Sequence, residues 1–357
     1  MANENVNQTK NSWAESYLQR LLLLTPPGGK LPGMRTLIAE SGVGRVRLEH
    51  VLAKLCSEGK VESRSRSGYY RCAESECSKR MLLLDIEKND FSLPPASRNV
   101  SMFASFWQQI EHGLADICRN NGYELTLYSL QGSLSGAVDF FRNNHFAGCF
   151  FRGVTGSEVT ELISQYCCVV DVLPHSSNGS FPGVIDSPQM TIMQMEYLLQ
   201  RGYRNIGYLH QIENTRQVVQ LQRLCDYYRI MAENNIAVEP GWGMYCGYEW
   251  KKFNRNLYEV MSGKHPPEAL IVAGNTVPAV YRFCFNNGIE IGRELAIMGC
   301  DDLAPELRPR CTSVTNTPSE IAEKAWRVMQ AALHGEKLIE YTDLKIITGE
   351  SVPYKNQ

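Results

Sequence analysis

Arginines crowd a short stretch near the amino terminus of a chain whose formal net charge is −2. The run "LPGMRTLIAESGVGRVRLEHVLAKLCSEGK" sets Arg35, Arg45 and Arg47 near helix starts, and "KVESRSRSGYYRC" sets Arg64 and Arg66 beside Gly68. A helix start exposes free N–H groups and the positive end of a dipole, so it attracts phosphate. An arginine fork also fits the major-groove edge of guanine. Such a cluster can dock a duplex polyanion, with some contacts positioning the protein and others reading sequence. The charge distribution agrees. Residues 1–80 hold 13 Lys+Arg against 8 Asp+Glu, a balance of +5, which leaves 23 against 30, or −7, for the remainder.

Other chemistries find no support in the sequence. The 12 cysteines, Cys149, Cys167, Cys168, Cys284 and Cys300 among them, are scattered through apolar segments without a CxxC pair. They read as buried thiols in a reducing compartment, not as a zinc site or a disulfide framework. No GxGxxG follows a strand, and neither a Walker lysine motif nor a GxSxG elbow occurs. His112, His145, His175, His210, His265 and His334 lack ligand spacing. Asp301 and Asp302 are neighbours at a strand end, where successive side chains diverge. No catalytic residue, metal or cofactor is expected. The longest apolar runs are far too short to span a membrane, and the opening "MANENVNQTKNSW" is polar, which places the protein in the cytoplasm.

The elements that must position the arginines are legible. Residues 1–12 read as a disordered polar tail. "WAESYLQRLLLL" has helical spacing and is stopped by "TPPGG"; "MRTLIAES" forms a second helix broken at Gly42; "GRVRLEHVLAKLCSEG" forms a third, with Val46, Val51, Leu52 and Leu55 on its apolar side. The alternation that follows predicts a β-hairpin with Gly68 at the turn. Three helices and a basic hairpin make a winged helix-turn-helix over residues 13–72.

This stretch resembles the DNA-binding domains of the GntR family in "LPGMR", "SGVGRVRLEHVLAKLCSEGKV" and "RSRSGYY". The resemblance implies that Arg35 belongs to the family's first conserved run, that Arg45 opens the recognition helix and that Gly68 forms the wing tip. Arg47, Arg64 and Arg66 join them as expected contacts to double-stranded operator DNA. Gly44 stands where the family has a capping serine, and Glu49 and His50 stand where basic residues are usual.

Residues 73–80 read as a linker. Beyond it, apolar strands alternate with amphipathic helices: "RMLLLDI", "FASFWQQIEHGLADICRNNGY", "ELTLYS", "FAGCFFRG", "CCVVDVL", and again from "MTIMQMEYLLQRGY" through "RNIGYLH", "EALIVAG" and "LAIMGCDD". That rhythm predicts an α/β fold of parallel sheets covered by helices. The length favours two lobes with a cleft, the first from residues 81–203 and 301–318, the second from 204–300 and 319–357.

Residues 81–357 resemble the effector-binding domain of LacI-type regulators, which is related to periplasmic sugar-binding proteins. The segments that carry this are "FWQQIEHGLADICRNNGY", "GVIDSPQM", "YLLQRGYRNIGYL", "PPEALIVAGNTVPAVYRFCFNNGIEIGRELAIMGCDD" and "CTSVTNTPSEIAEKA". A GntR head on such a body resembles the arabinose-responsive repressors of that hybrid type. The resemblance implies an effector, a sugar, held between the lobes by Trp107, Arg152, Asp171, Arg223, Tyr248, Asn275 and Thr276. Aromatic faces would cover C–H patches while Arg and Asp bond hydroxyls. Asp186, Asp301 and Asp302 are expected to brace the crossings between lobes. Thr276 departs from the family's aspartate and Asp226 from its glycine. The expectation is a homodimeric, effector-controlled repressor; the alternative is a soluble sugar-binding protein or an enzyme on the same two-lobed body.

Overall fold

The computed structural model describes residues 13–355, except residues 23, 27, 58–59, 66, 73–78, 87–99, 131–139, 142–143, 145, 153–156, 175–180, 213–217 and 247–249. The tail at 1–12, most of the expected linker, Arg66 and Tyr248 therefore lie outside the described residues.

The head begins with helix α1, residues 13–22, then α2 (Met34–Ser41) and α3 (Arg45–Ser57). Strands β1 (Val61–Arg64) and β2 (Gly68–Arg71) pair antiparallel, Val61 opposite Arg71 and Arg64 opposite Gly68. Its core is a compact apolar cluster: Ala14 and Leu18 from α1, Leu37 from α2, Leu48, Val51, Leu52 and Leu55 from α3, and Val61. Gly42 ends α2 at φ 66°, a left-handed conformation that costs a glycine nothing. Val46 departs from the expected apolar face. It is 79% exposed, and Leu48 takes the buried position instead. The 3.6-residue period puts 48, 51, 52 and 55 on one side and carries 46 to the other.

The body holds two six-stranded sheets. The first contains β3 (Arg80–Ile86), β4 (Glu124–Leu130), β5 (Gly148–Arg152), β6 (Cys168–Val172), β7 (Gly183–Ile185) and, late in the chain, β13 (Ile339–Tyr341), in the order β13-β7-β6-β5-β3-β4 and wholly parallel. Helices α4 (Val100–Asn120) and α5 (Ser157–Ile163) belong to this lobe. Arg80 already pairs with Glu124, so the sheet begins one residue inside the expected linker.

The second sheet contains β8 (Ile206–His210), β9 (Gly243–Tyr245), β10 (Ala269–Val272), β11 (Ala296–Cys300), β12 (Thr312–Asn316) and β14 (Leu344–Ile347), ordered β14-β12-β11-β10-β8-β9. All are parallel save β14, which runs against β12. Helices α6 (Met190–Gln200), α7 (Val218–Glu233), α8 (Trp250–Met261) and α9 (Val277–Asn287) accompany it. Strands buried on both faces read as continuous apolar runs, as "ALIV" and "AIMGC" do.

The expected lobe boundaries need correction. Strand β12 belongs to the second sheet, whereas α10 (Pro318–Leu333) packs with Phe106, Ile110 and Leu114 of α4 in the core of the first, and β13 joins the first sheet. Helix α6, expected in lobe one, buries Met190, Met195 and Leu198 in the core of lobe two. Lobe one is thus about residues 80–185 and 318–341, and lobe two about 190–316 and 344–355. An amphipathic pattern shows that a helix will bury one face but not which sheet receives it.

Candidate functional site

The head presents its arginines on the surface. Arg35 is exposed on α2, Arg45 is exposed at the start of α3, and Arg47, two residues further on, is half-buried. The Gly44 carbonyl accepts from the N–H groups of Arg47 (3.1 Å) and Leu48 (3.3 Å), so the helix starts there without a side-chain cap. Arg45 Nε donates to Glu49 Oε1 at 2.7 Å, an i,i+4 ion pair that explains how a carboxylate is accommodated on this face. In the hairpin, Arg64 donates to Glu62 through Nε and Nη2, each at 3.2 Å, and its guanidinium lies 4.2 Å from the Tyr70 ring centre. Gly68 has φ 107°, a backbone shape that bulkier residues avoid.

The body passes between lobes at residues 186–189, 316–318 and 342–343, and the passages are tied together. Ser187 N donates to Thr342 Oγ1 at 2.9 Å, while Thr342 N donates to the Ile185 carbonyl at 2.9 Å. Asn316 Nδ2 donates to Asp186 Oδ1 (2.9 Å) and Asp301 Oδ1 (3.2 Å). Arg223 pairs with Asp186 at 3.0 Å from an almost wholly buried position.

The sequence of α7 puts Arg223 there. Its buried residues are Arg223, Asp226, Tyr227, Ile230 and Met231, the spacing of one helix face, so the guanidinium occupies a core-facing position. Burial opposes its charge, and Asp186, the strongest of the opposing influences, pulls its pKa up, aided by Cys300, Asp301 and Tyr208. Burial, and then the nearby Asp186, raise Asp301 to about 6. Asp226 is buried too; it accepts from Arg229 Nη2 (3.0 Å) and Gln222 Nε2 (3.2 Å).

Asp301 and Asp302 follow β11 at φ 63° and 43°, left-handed values that non-glycine residues rarely adopt. Their side chains do diverge: Asp302 accepts from Arg310 Nη2 at 2.8 Å, whereas Asp301 meets Asn316. Both border a cleft of about 310 Å³ between the lobes. Lobe one lines it with Ser105, Phe106 and Gln109, and lobe two with Asp301, Thr315, Asn316 and Lys345 among others. That volume is at the lower end of small-molecule pockets. Its mixture of hydroxyl, amide, carboxylate and ammonium groups suits a ligand rich in donors and acceptors.

The expected effector residues that are described fall into separate groups, none among the lining residues of this cleft. Trp107 is half-buried with the Arg152 guanidinium 4.6 Å from its ring, and Arg152 also donates to Glu111 at 3.0 Å. Asp171 sits opposite Phe151 in the sheet, hence on the face away from Arg152, because strand side chains alternate. It is buried, Oδ1 has no hydrogen-bond partner among the described residues, and burial lifts its pKa to about 6. Asn275 and Thr276 close a ring with Gln211. Gln211 Nε2 donates to Thr276 Oγ1 (3.0 Å), Thr276 Oγ1 to Asn275 Oδ1 (3.3 Å), and Asn275 Nδ2 to Gln211 Oε1 (3.2 Å). The threonine hydroxyl is thus engaged internally, and Thr276 is buried. Arg223 is linked to the cleft through Asp186, which shares the Asn316 amide with Asp301. Sequence reasoning assigned Asp186, Asp301 and Asp302 a bracing role. The hydrogen bonds of Asn316 support it for Asp186 and Asp301, whereas Asp302 bonds Arg310 within its own lobe. Asp301 and Asn316 also line the cleft. Phe106 and Gln109 were missed beside Trp107, since helical spacing alone does not say which neighbour turns toward a partner lobe.

Among the described residues no group of three His, Cys, Asp or Glu side chains could hold a metal ion, and no helix is long and apolar enough to cross a membrane.

Residues 195–352 match the family model of the periplasmic binding protein-like domain. Over 256 residues the chain is 22% identical to the HTH-type transcriptional repressor PurR of Vibrio campbellii, covering 63% of this chain and 70% of that protein. A regulatory protein of the LacI family from Chloroflexus aggregans superposes with a TM-score of 0.63 at 18% identity, over 76% of this chain and 98% of that one. The complex of the transcriptional regulator CelR with cellobiose superposes with a TM-score of 0.62 at 16% identity, over 90% and 99%. The fold is therefore an α/β, two-lobed, periplasmic-binding-protein-like one.

Proposed function

We propose that residues 13–72 of this effector-controlled DNA-binding regulator form a GntR-type winged helix-turn-helix, and that a sugar bound between the lobes governs how it grips its operator. The observation that carries this reading is the exposed arginine face, Arg35 and Arg45, on a three-helix head with a β-hairpin, joined to a two-lobed body. Helix α3 enters the major groove, with Arg45 and Arg47 at its leading end. Arg64, at the end of β1, and Arg66, two positions before Gly68 in the sequence, contact an adjacent groove or phosphate. The protein acts as a cytoplasmic repressor and as a homodimer, whose two heads meet two half-sites of a palindromic operator.

The effector lies against Asp301, Asn316, Gln109 and Phe106. Arg223 acts on that ligand through its hold on Asp186, and Trp107, Arg152, Asp171, Tyr248, Asn275 and Thr276, assigned to the effector by the resemblance, would reach it in another arrangement of the lobes. The likeness to a regulator solved with cellobiose supports a carbohydrate. A ligand that prefers one lobe arrangement shifts the population toward it and so alters the spacing of the heads; equal affinity for both would shift nothing.

Two experiments test this reading. Gel-shift titrations with duplex DNA at several salt concentrations should show steep salt dependence, and deletion of residues 1–72 should abolish the shift. A thermal-shift screen of sugars and nucleosides should find a stabilising binder in both the full chain and the truncated body, since a ligand selective for the folded state raises its melting temperature. DNA affinity indifferent to both salt and the head would overturn the regulator reading.

A further inference from the structure

We infer that Glu49 and Val46 set the specificity of the start of α3: Glu49 positions Arg45 for its guanine, and Val46 reads the methyl group of a neighbouring thymine. The inference rests on the DNA-binding role of the head proposed above and names the residues that would set its specificity.

Two separate observations lead to it. Glu49 takes the Arg45 Nε proton at 2.7 Å, while the Arg45 side chain remains 71% exposed. With Nε engaged, the two terminal Nη groups are left as an outward-facing pair, the half of the fork that meets O6 and N7 of guanine end-on. An unsupported arginine samples many rotamers and must lose that freedom on binding; a carboxylate one turn along the helix removes part of this cost beforehand. Glu49 is thus a positioning residue, and its negative charge, a liability near phosphates, is spent on Arg45.

Val46 supplies the second observation. It is 79% exposed, whereas Leu48, Val51, Leu52 and Leu55 of the same helix are buried, so it contributes nothing to the core of the head. A branched apolar side chain between two arginines at the end of the helix that faces the groove has one base feature to recognise, the C5-methyl of thymine, the sole apolar group that B-DNA displays in the major groove.

The test uses the full-length protein and a library of randomised DNA duplexes. After selection, each enriched half-site should contain an invariant guanine and a thymine near it. Glu49→Ala should lower the guanine preference about tenfold at that position. It should at the same time bind other sequences as well or better, because a repelling charge is gone. Glu49→Gln, whose amide oxygen still accepts from Nε, should retain the preference. Replacing the thymine by deoxyuridine, which removes only the methyl group, should weaken wild-type binding about fourfold, as expected for one buried methyl group. Val46→Ser should be indifferent to that replacement. An enriched site whose base preferences are unchanged in Glu49→Ala, and whose affinity is blind to the thymine methyl, overturns the inference while leaving the DNA-binding role standing. Failure to enrich any duplex overturns both.

Discussion

Arg223 and Asp186 meet at 3.0 Å where the chain first crosses from one lobe to the other. Asn316, at the second crossing, donates to the same aspartate and to Asp301. One buried cation and two carboxylates, contributed by α7 and by two separate strand ends, therefore join the hinge to the floor of the cleft. The arrangement lets a ligand that touches Asp301 or Asn316 act on the hinge directly.

Arg223→Met should cost about 3–5 kcal/mol in urea unfolding at pH 7, because it leaves the half-buried Asp186 and Asp301 without the buried cation beside them. Acidification should recover part of the loss as Asp301, raised to about 6 by burial, takes up a proton. A variant as stable as the wild type at pH 7 would show that the pair lies in water.

Asp171 sets a pH dependence of definite sign. Burial lifts its folded pKa to about 6 from an ordinary 3.8. Below about pH 4 the group is protonated folded or unfolded and costs nothing; between 4 and 6 only the unfolded chain releases its proton readily. Stability therefore falls as pH rises through that window, and the full cost persists above 6. Asp171→Asn should be more stable than the wild type at pH 7 and have a shallower decline between pH 4 and 6, with Asp301 supplying what remains. Thermal melts across pH 4–8 measure both. If Asp171 also bonds the effector, the same variant should lose the ligand-induced thermal shift.

Gly274, which opens the Asn275–Thr276 turn, donates its N–H to Cys300 Sγ at 3.0 Å. A methyl group there would collide with the Cys300 carbonyl oxygen and crowd Leu303. Gly274→Ala should destabilise by about 1–3 kcal/mol, the usual cost of overpacking. The displaced Asn275–Thr276 turn should weaken any effector found by the thermal-shift screen.

Arg35 is exposed on the face expected to meet DNA. If it contacts a phosphate, Arg35→Ala should weaken binding to all duplexes alike and reduce the slope of log affinity against log salt by about 1 per head. A sequence-dependent loss would instead place Arg35 on a base.

Much of this was open to reading in the linear chain. The arginine-rich runs, the stop at "TPPGG" and the glycine at the hairpin mark the head, since each acts through local backbone rules. Alternating apolar and amphipathic segments mark the body as parallel sheets under helices. Thr276 shows the limit. The resemblance put it among the effector contacts, but its engagement with Gln211 and Asn275 depends on two loops meeting in space.

What the sequence determined by itself were the local elements and the end of the molecule that carries positive charge, because helix spacing, strand alternation and turn residues act over a few positions. Only the tertiary structure decided that α10 covers the first sheet while β12 completes the second, and that Arg223 faces Asp186 and Asp301. A buried face can be satisfied by any complementary surface, and an arginine by any carboxylate. The choice among them is made by packing between segments far apart in the chain.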